Sequence, residues 1–173
     1  MSGEELVHIA PPPGQPVDGR GDWSQVERSL CALPDDYKVL VGAYGAGSFD
    51  HFIWVLSPFS KNQYLNLIEQ AKLAREAHES LRRDFSEPPY YPFFPENSGL
   101  LPFGITDNGD YLYWKTAGSP KNWPVIIGAA REPKYEIFKC SVSEFLADIL
   151  SRRITCNIFP ADFPSDRPVF TVA

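Results

Sequence analysis

A chain of 173 residues with 43% hydrophobic and 22% charged residues is sized and composed for a single globular domain, which excludes disorder over most of its length. Twenty-two acidic against sixteen basic residues leave a net charge of −6, which argues against non-specific binding to nucleic acid or to an anionic membrane. Cys31, Cys140 and Cys156 are too far apart for a C-x-x-C pair, so neither a disulfide framework nor a zinc ribbon is expected and a reducing cytoplasm fits. The first ten residues hold no apolar run of signal-peptide length, and the longest apolar stretch, 52–56, is far short of a membrane span.

In chain order, residues 1–21 contain Pro11-Pro12-Pro13-Gly14-Gln15-Pro16 and then Gly19 and Gly21, which predicts a flexible, solvated lead-in. Arg20-Gly21-Asp22 spells an adhesion tripeptide, but without an export signal it reads as a linker ending in an Asp cap. Asp22 opens a short helix with Trp23, Val26 and Leu30 on one side. Pro34 then starts a second helix whose first turn holds Asp35 and Asp36, where the dipole favours negative charge. Tyr37, Leu40, Val41 and Tyr44 form its buried stripe, and Gly45 ends it.

From Ser48 the period changes to two, so residues 49–56 read as one strand covered on both sides and ended by Pro58. Ser60-Lys61-Asn62-Gln63 fits a capping box for a long helix with Tyr64, Leu67, Ile68, Ala71, Ala74, Ala77 and Leu81 as its stripe, stopped by Pro88-Pro89. Residues 100–106 and 110–116 flank Asp107-Asn108-Gly109, a strong hairpin signal, and 123–129 and 134–139 are two further strands. Ser141-Val142-Ser143-Glu144 is a second capping box, opening a helix with Phe145, Leu146, Ile149 and Leu150 on its core face. Short turns between the late strands require antiparallel pairing. The class is therefore α+β, a mostly antiparallel sheet of about five strands with packed helices, over residues 22–156. Residues 157–173 are expected as an irregular tail carrying Phe159, Phe163 and Phe170.

No pattern for catalysis stands out. The glycines at 42, 45 and 47 follow a helix and precede a strand, the reverse of a dinucleotide fingerprint, so they read as a helix stop and tight turn. Asp107 to Asp110 resembles the start of a calcium loop, but the sixth position is Leu112 and the twelfth Gly118, so the turn reading prevails. His8, His51 and His78 lie outside metal-ligand spacing of one another and of any cysteine. Asp50 and His51 are the one pair to weigh as acid and base for a small hydrolase, yet strand neighbours point to opposite faces. No cofactor is implied.

Two features point to a binding surface instead. Residues 87–95 (Glu-Pro-Pro-Tyr-Tyr-Pro-Phe-Phe-Pro) are stiff and aromatic, which suits a hot spot that loses little entropy on contact; the alternative is a lid folded onto the sheet. Charge is also uneven. Residues 1–60 hold eight acidic against three basic groups and residues 84–120 five against one, whereas residues 61–83 carry five basic against three acidic. Candidate contacts are Asp35, Asp36, Asp107 and Asp110 with Tyr90, Tyr91 and Phe94.

The succession Leu33-Pro34-Asp35-Asp36-Tyr37-Lys38, Tyr44-Gly45-Ala46-Gly47-Ser48-Phe49, Leu100-Leu101-Pro102-Phe103-Gly104, Asn108-Gly109-Asp110-Tyr111-Leu112-Tyr113-Trp114, Trp123-Pro124-Val125 and Ser143-Glu144-Phe145-Leu146 resembles the SUKH superfamily. This is the large group of bacterial immunity proteins related to a fungal cell-wall-synthesis regulator. The resemblance covers about residues 22–155 and implies an α+β fold, a cytoplasmic location and no enzymatic activity or cofactor. It also implies that the chain binds and neutralises a polymorphic or contact-dependent toxin, often a nuclease or deaminase. Some relatives are adaptors or regulators outside toxin systems. The motif residues are structural in this reading and do not identify the toxin-facing side chains.

Overall fold

The computed structural model describes residues 2–85 and 91–173. Its helices are α1 (Ser2–Ile9), α2 (Trp23–Ser29), α3 (Asp35–Tyr44), α4 (Leu67–Phe85) and α5 (Val142–Leu150). The strands are β1 (Gly47–Phe49), β2 (Ile53–Val55), β3 (Leu100–Thr106), β4 (Tyr111–Lys115), β5 (Val125–Gly128), β6 (Tyr135–Phe138) and β7 (Phe170–Val172). They form one sheet in the order β6-β5-β4-β3-β2-β1-β7, and every neighbouring pair is antiparallel. The α+β class expected from the short turns is the class observed.

Alternation along the strands divides the core. Leu101, Phe103, Leu112, Trp114, Val125 and Ile127 join the main core with residues of α1, α3 and α5. Leu100, Tyr113 and Ile126, their neighbours in sequence, face a second cluster with Ala74 of α4 and Phe93. Trp114 is the centre of the first layer. It meets Tyr37 edge-on at 4.8 Å and lies 5.0 Å from Phe103 and 5.9 Å from Trp123. The Tyr37 hydroxyl donates to the carbonyl of Leu56 and so joins α3 to the residue that follows β2.

Seven strands replace the expected five for two reasons. The segment read as one strand over 49–56 is a hairpin, because Asp50 and His51 both take positive φ (54° and 55°). Asp and His reach that region more readily than most residues. The Asp50 carboxylate also accepts the amide and hydroxyl of Ser165 at 2.6 and 2.7 Å, holding the turn from 115 residues away. The second extra strand is β7, which pairs with β1 and ends the tail that was expected to be irregular. Phe159 and Phe163 of the same tail pack on Phe52.

Two local readings also change. The lead-in is not wholly solvated: Leu6 is 1% exposed and Ala10 fully buried in the main core. An eight-residue helix is marginal alone. α1 is held by packing on α5, by the Tyr44 hydroxyl donating to the Ala10 carbonyl at 2.8 Å, and by an ion pair between Glu5 and Arg153. The long helix starts at Leu67 rather than after a box at Ser60–Gln63, because the Asn66 side chain accepts the amides of Ile68 and Glu69. Pro88-Pro89, read as its stop, lies outside the described residues. The glycine turn behaves as expected. Gly45 has φ +72°, and a Cβ there would sit 2.2 Å from the carbonyl oxygen of Val17.

Candidate protein-interaction surfaces

The hairpin between β3 and β4 separates its two aspartates. Asp107 is exposed at the tip, and its Oδ1 accepts the indole N–H of Trp54 at 2.9 Å. Asp110 is only 6% exposed, which corrects its assignment as a surface charge. Its Oδ2 accepts the Thr106 hydroxyl at 3.0 Å, and its Oδ1 accepts the Ala130 amide at 2.9 Å, tying the hairpin to the end of β5. A carboxylate committed to two donors inside the fold stabilises the turn.

Beside Asp107, the β1–β2 turn and the C-terminal tail complete a shallow hollow of about 610 Å³ that includes Asp50, His51, Asp107, Asp162 and Arg167. Asp107, Asp162, His51 and Arg167 are exposed. The Asp50 carboxylate is engaged by Ser165, so it is spent on holding the turn rather than on orienting His51. Asp162 belongs to this surface and was missed in the sequence, where a tail aspartate 55 residues beyond Asp107 carries no local signal.

At the start of α3 the two aspartates also differ. Asp35 has a fully exposed side chain 3.8 Å from Lys38 Nζ. Asp36 is half-buried and accepts the Ser143 amide at 3.1 Å, which couples α3 to the first turn of α5. Lys38 forms a second ion pair with Glu27, whose carboxylate also accepts the Leu33 amide. The Lys38 hydrogen bond is the main cause that holds the Glu27 carboxyl below its usual value.

Tyr90 lies outside the described residues, with the rest of 86–90. From Tyr91 on, the aromatic segment lies down on the sheet. Phe93 is buried, stacked on His78 at 4.4 Å and edge-on to Tyr113 at 5.5 Å. Phe94 is half-buried against the main core. Tyr91 meets Tyr135 edge-on at 5.1 Å, with Lys115 Nζ 5.8 Å from its ring centre. Phe93 bridges to Leu100, the first residue of β3, whereas Asp107 follows its last residue. At about 3.3 Å per residue the two groups are roughly 20 Å apart along the strand. The sequence-predicted contacts therefore do not make one patch.

A family model described as SUKH_6, SMI1-KNR4 cell-wall, matches residues 20–146. The chain belongs to the SUKH superfamily. No curated protein and no solved structure matches it. The SUKH match runs from just before α2 into α5, so α1 and β7 lie outside it. Among the described residues of this SUKH chain, no group of three or more His, Cys, Asp or Glu is placed to hold a metal ion, and no helix is long and apolar enough to cross a membrane. Burial pushes the thiols of Cys31, Cys140 and Cys156 up to about 11, which makes them poor nucleophiles at neutral pH.

Proposed function

We propose that this chain is a non-catalytic cytoplasmic immunity protein that binds a polymorphic or contact-dependent toxin domain and occludes its active groove. The observation that carries this reading is membership of the SUKH superfamily over residues 20–146. It is supported by the exposed carboxylates of Asp107 and Asp162 around one hollow and by Asp35 on α3. A basic nuclease offers the complementary field, and carboxylates held on short turns stand in for substrate phosphates and speed encounter. The commitment of Asp50 to Ser165 weighs against the alternative of a hydrolase using Asp50 and His51.

The test is co-purification with a basic nuclease toxin domain, followed by titration as salt rises from about 0.1 to 0.5 M, where screening shortens to a few ångströms. Affinity is expected to fall with salt and to drop at least about tenfold in Asp107→Lys combined with Asp162→Lys. Binding that ignores both changes overturns the acidic-surface mechanism. Recovery of a host protein in place of a toxin favours the regulatory-adaptor role known from other SUKH-like domains.

A further inference from the structure

We propose that the outer edge of β6 is a docking site for an extended segment of a partner protein, one that adds as a strand and is flanked by aspartate or glutamate. β6 ends the sheet, with β5 on one side and no described strand on the other. The amide of Ala129 donates to the carbonyl of Lys134 at 2.9 Å, which makes these opposed residues a hydrogen-bonded pair. Alternation then turns the backbone of Glu136 and Phe138 toward β5 and that of Tyr135 and Ile137 away from it. No described group bonds the N–H or C=O of Ile137. Its side chain extends the row of Tyr113 and Ile126 across the sheet and, with no described strand beyond it, is 51% exposed. An exposed β-branched side chain beside an open backbone donor and acceptor is a template on which a strand adds.

Charge selects which strand adds. Lys134 and Lys139 bracket β6, and Lys139 shares a hollow of about 520 Å³ with Lys121 at the end of the strand. All three lysines are exposed. None of their ammonium groups has an ion-pair or hydrogen-bond partner among the described residues, although the chain as a whole carries a net charge of −6. Two nearby carboxylates are already committed. Glu144, on the rim of the hollow, accepts the Ser141 amide at 2.9 Å in the α5 capping box. Glu136 accepts the Asn157 amide at 2.7 Å, and alternation places it on the opposite face from Ile137. Glu132 lies in the turn before β6, at the other end of the strand from the hollow. A partner strand with a carboxylate at each end therefore meets opposite charge at both, whereas one ended by lysines meets like charge. A second copy brings its own Lys134 and Lys139 to the shared ladder, so the lysines that admit an acidic segment hold identical chains apart. The opposite edge, β7, has no charged residue from 168 to 173 and makes no such selection. The inference concerns where a partner's strand sits and is independent of whether that partner is a toxin.

The probe is a fluorescently labelled peptide of alternating valine and threonine between pairs of glutamates, compared with the same peptide between pairs of lysines, each titrated into the full chain by fluorescence anisotropy. The glutamate-flanked peptide is expected to bind at least about tenfold more tightly than its lysine counterpart, and Lys121→Glu combined with Lys139→Glu to weaken it by a similar factor. Amide resonances of residues 134–140 are expected to shift. N-methylation of the central amides of the peptide should abolish binding, because the added strand then has no donors for the edge. Ile137→Pro should do the same from the other side. It removes an N–H that points away from β5, a position where an edge strand tolerates proline, and the paired lysine variant tests the site without touching the backbone. Absent binding, equal binding of the two peptides, binding that survives N-methylation, indifference to both variants, or shifts confined to other regions each overturn the proposal. So does a dimer in the parent that Ile137→Pro dissolves, because a second copy then occupies the edge. The acidic-surface reading fails on Asp107 and Asp162 and this one on Ile137, Lys121 and Lys139, so the two are refuted separately.

Discussion

Asp110→Ala separates a structural carboxylate from a binding one. The substitution leaves the Ala130 amide without its acceptor and removes the acceptor of the Thr106 hydroxyl, while the Asp110 amide keeps its 3.1 Å bond to Thr106 Oγ1. Stranding a buried donor costs about 1–3 kcal/mol. Ala130 itself is exposed although its bond to Asp110 is part-buried, and the hydroxyl is free to rotate, so the sum is about 2 kcal/mol. With a urea slope of roughly 2 kcal/mol/M, the unfolding midpoint followed by circular dichroism should fall by about 1 M. Asp107→Ala, three positions away in the same hairpin, is the control. It loses one hydrogen bond from Trp54 at an exposed site, a change of at most about 1 kcal/mol and a midpoint shift of at most about 0.5 M. Equal midpoints for the two variants, or an Asp110→Ala protein within about 0.5 kcal/mol of the parent, would refute the reasoning that burial and satisfied donors set the value of a carboxylate here.

Two further outcomes follow from burial. Leu6→Ala should destabilise the chain by about 2–4 kcal/mol and lower Tm by roughly 5–12 °C in calorimetry, since Leu6 is 1% exposed in the main core; an unchanged Tm would return the first ten residues to solvent. The cysteines give a pH signature. With thiols at about 11 instead of the ordinary 9.0, native alkylation by iodoacetamide at pH 8 should be roughly a hundredfold slower than in urea. Because the folded state holds these protons more tightly, their contribution to stability is full below pH 9 and is lost as pH rises through 11, so urea midpoints should decline across that window and not below it.

Elements whose signals are local read correctly from the chain. The Ser141–Glu144 capping box is present with both of its hydrogen bonds, the Asn108-Gly109 turn carries Gly109 at φ 86°, and the α3 stripe of Tyr37, Leu40, Val41 and Tyr44 is buried throughout. Apart from the start of α4, which the local Asn66 cap sets, the errors share one cause, a partner distant in sequence. The β1–β2 hairpin depends on Ser165 reaching Asp50, α1 depends on a surface supplied by α5, and β7 exists because β1 offers it an edge.

Of the candidate surface, composition announced an acidic chain and the hairpin tip announced Asp107, but neither says which carboxylates are spent inside the fold. Asp35 and Asp36 look alike in the sequence as first-turn aspartates, as do Asp107 and Asp110 as loop aspartates. Only the packing of α5 against α3, and of residue 130 against the β3–β4 turn, commits Asp36 and Asp110 to backbone amides and leaves Asp35 and Asp107 in solvent. Hydrophobic period and capping chemistry act over a few residues, so the chain alone determines the helices from α2 to α5, the β3–β4 hairpin and the α+β class. Burial depends on what arrives from elsewhere in the chain, so tertiary structure decided which charges remain to meet a partner and that β6 ends the sheet.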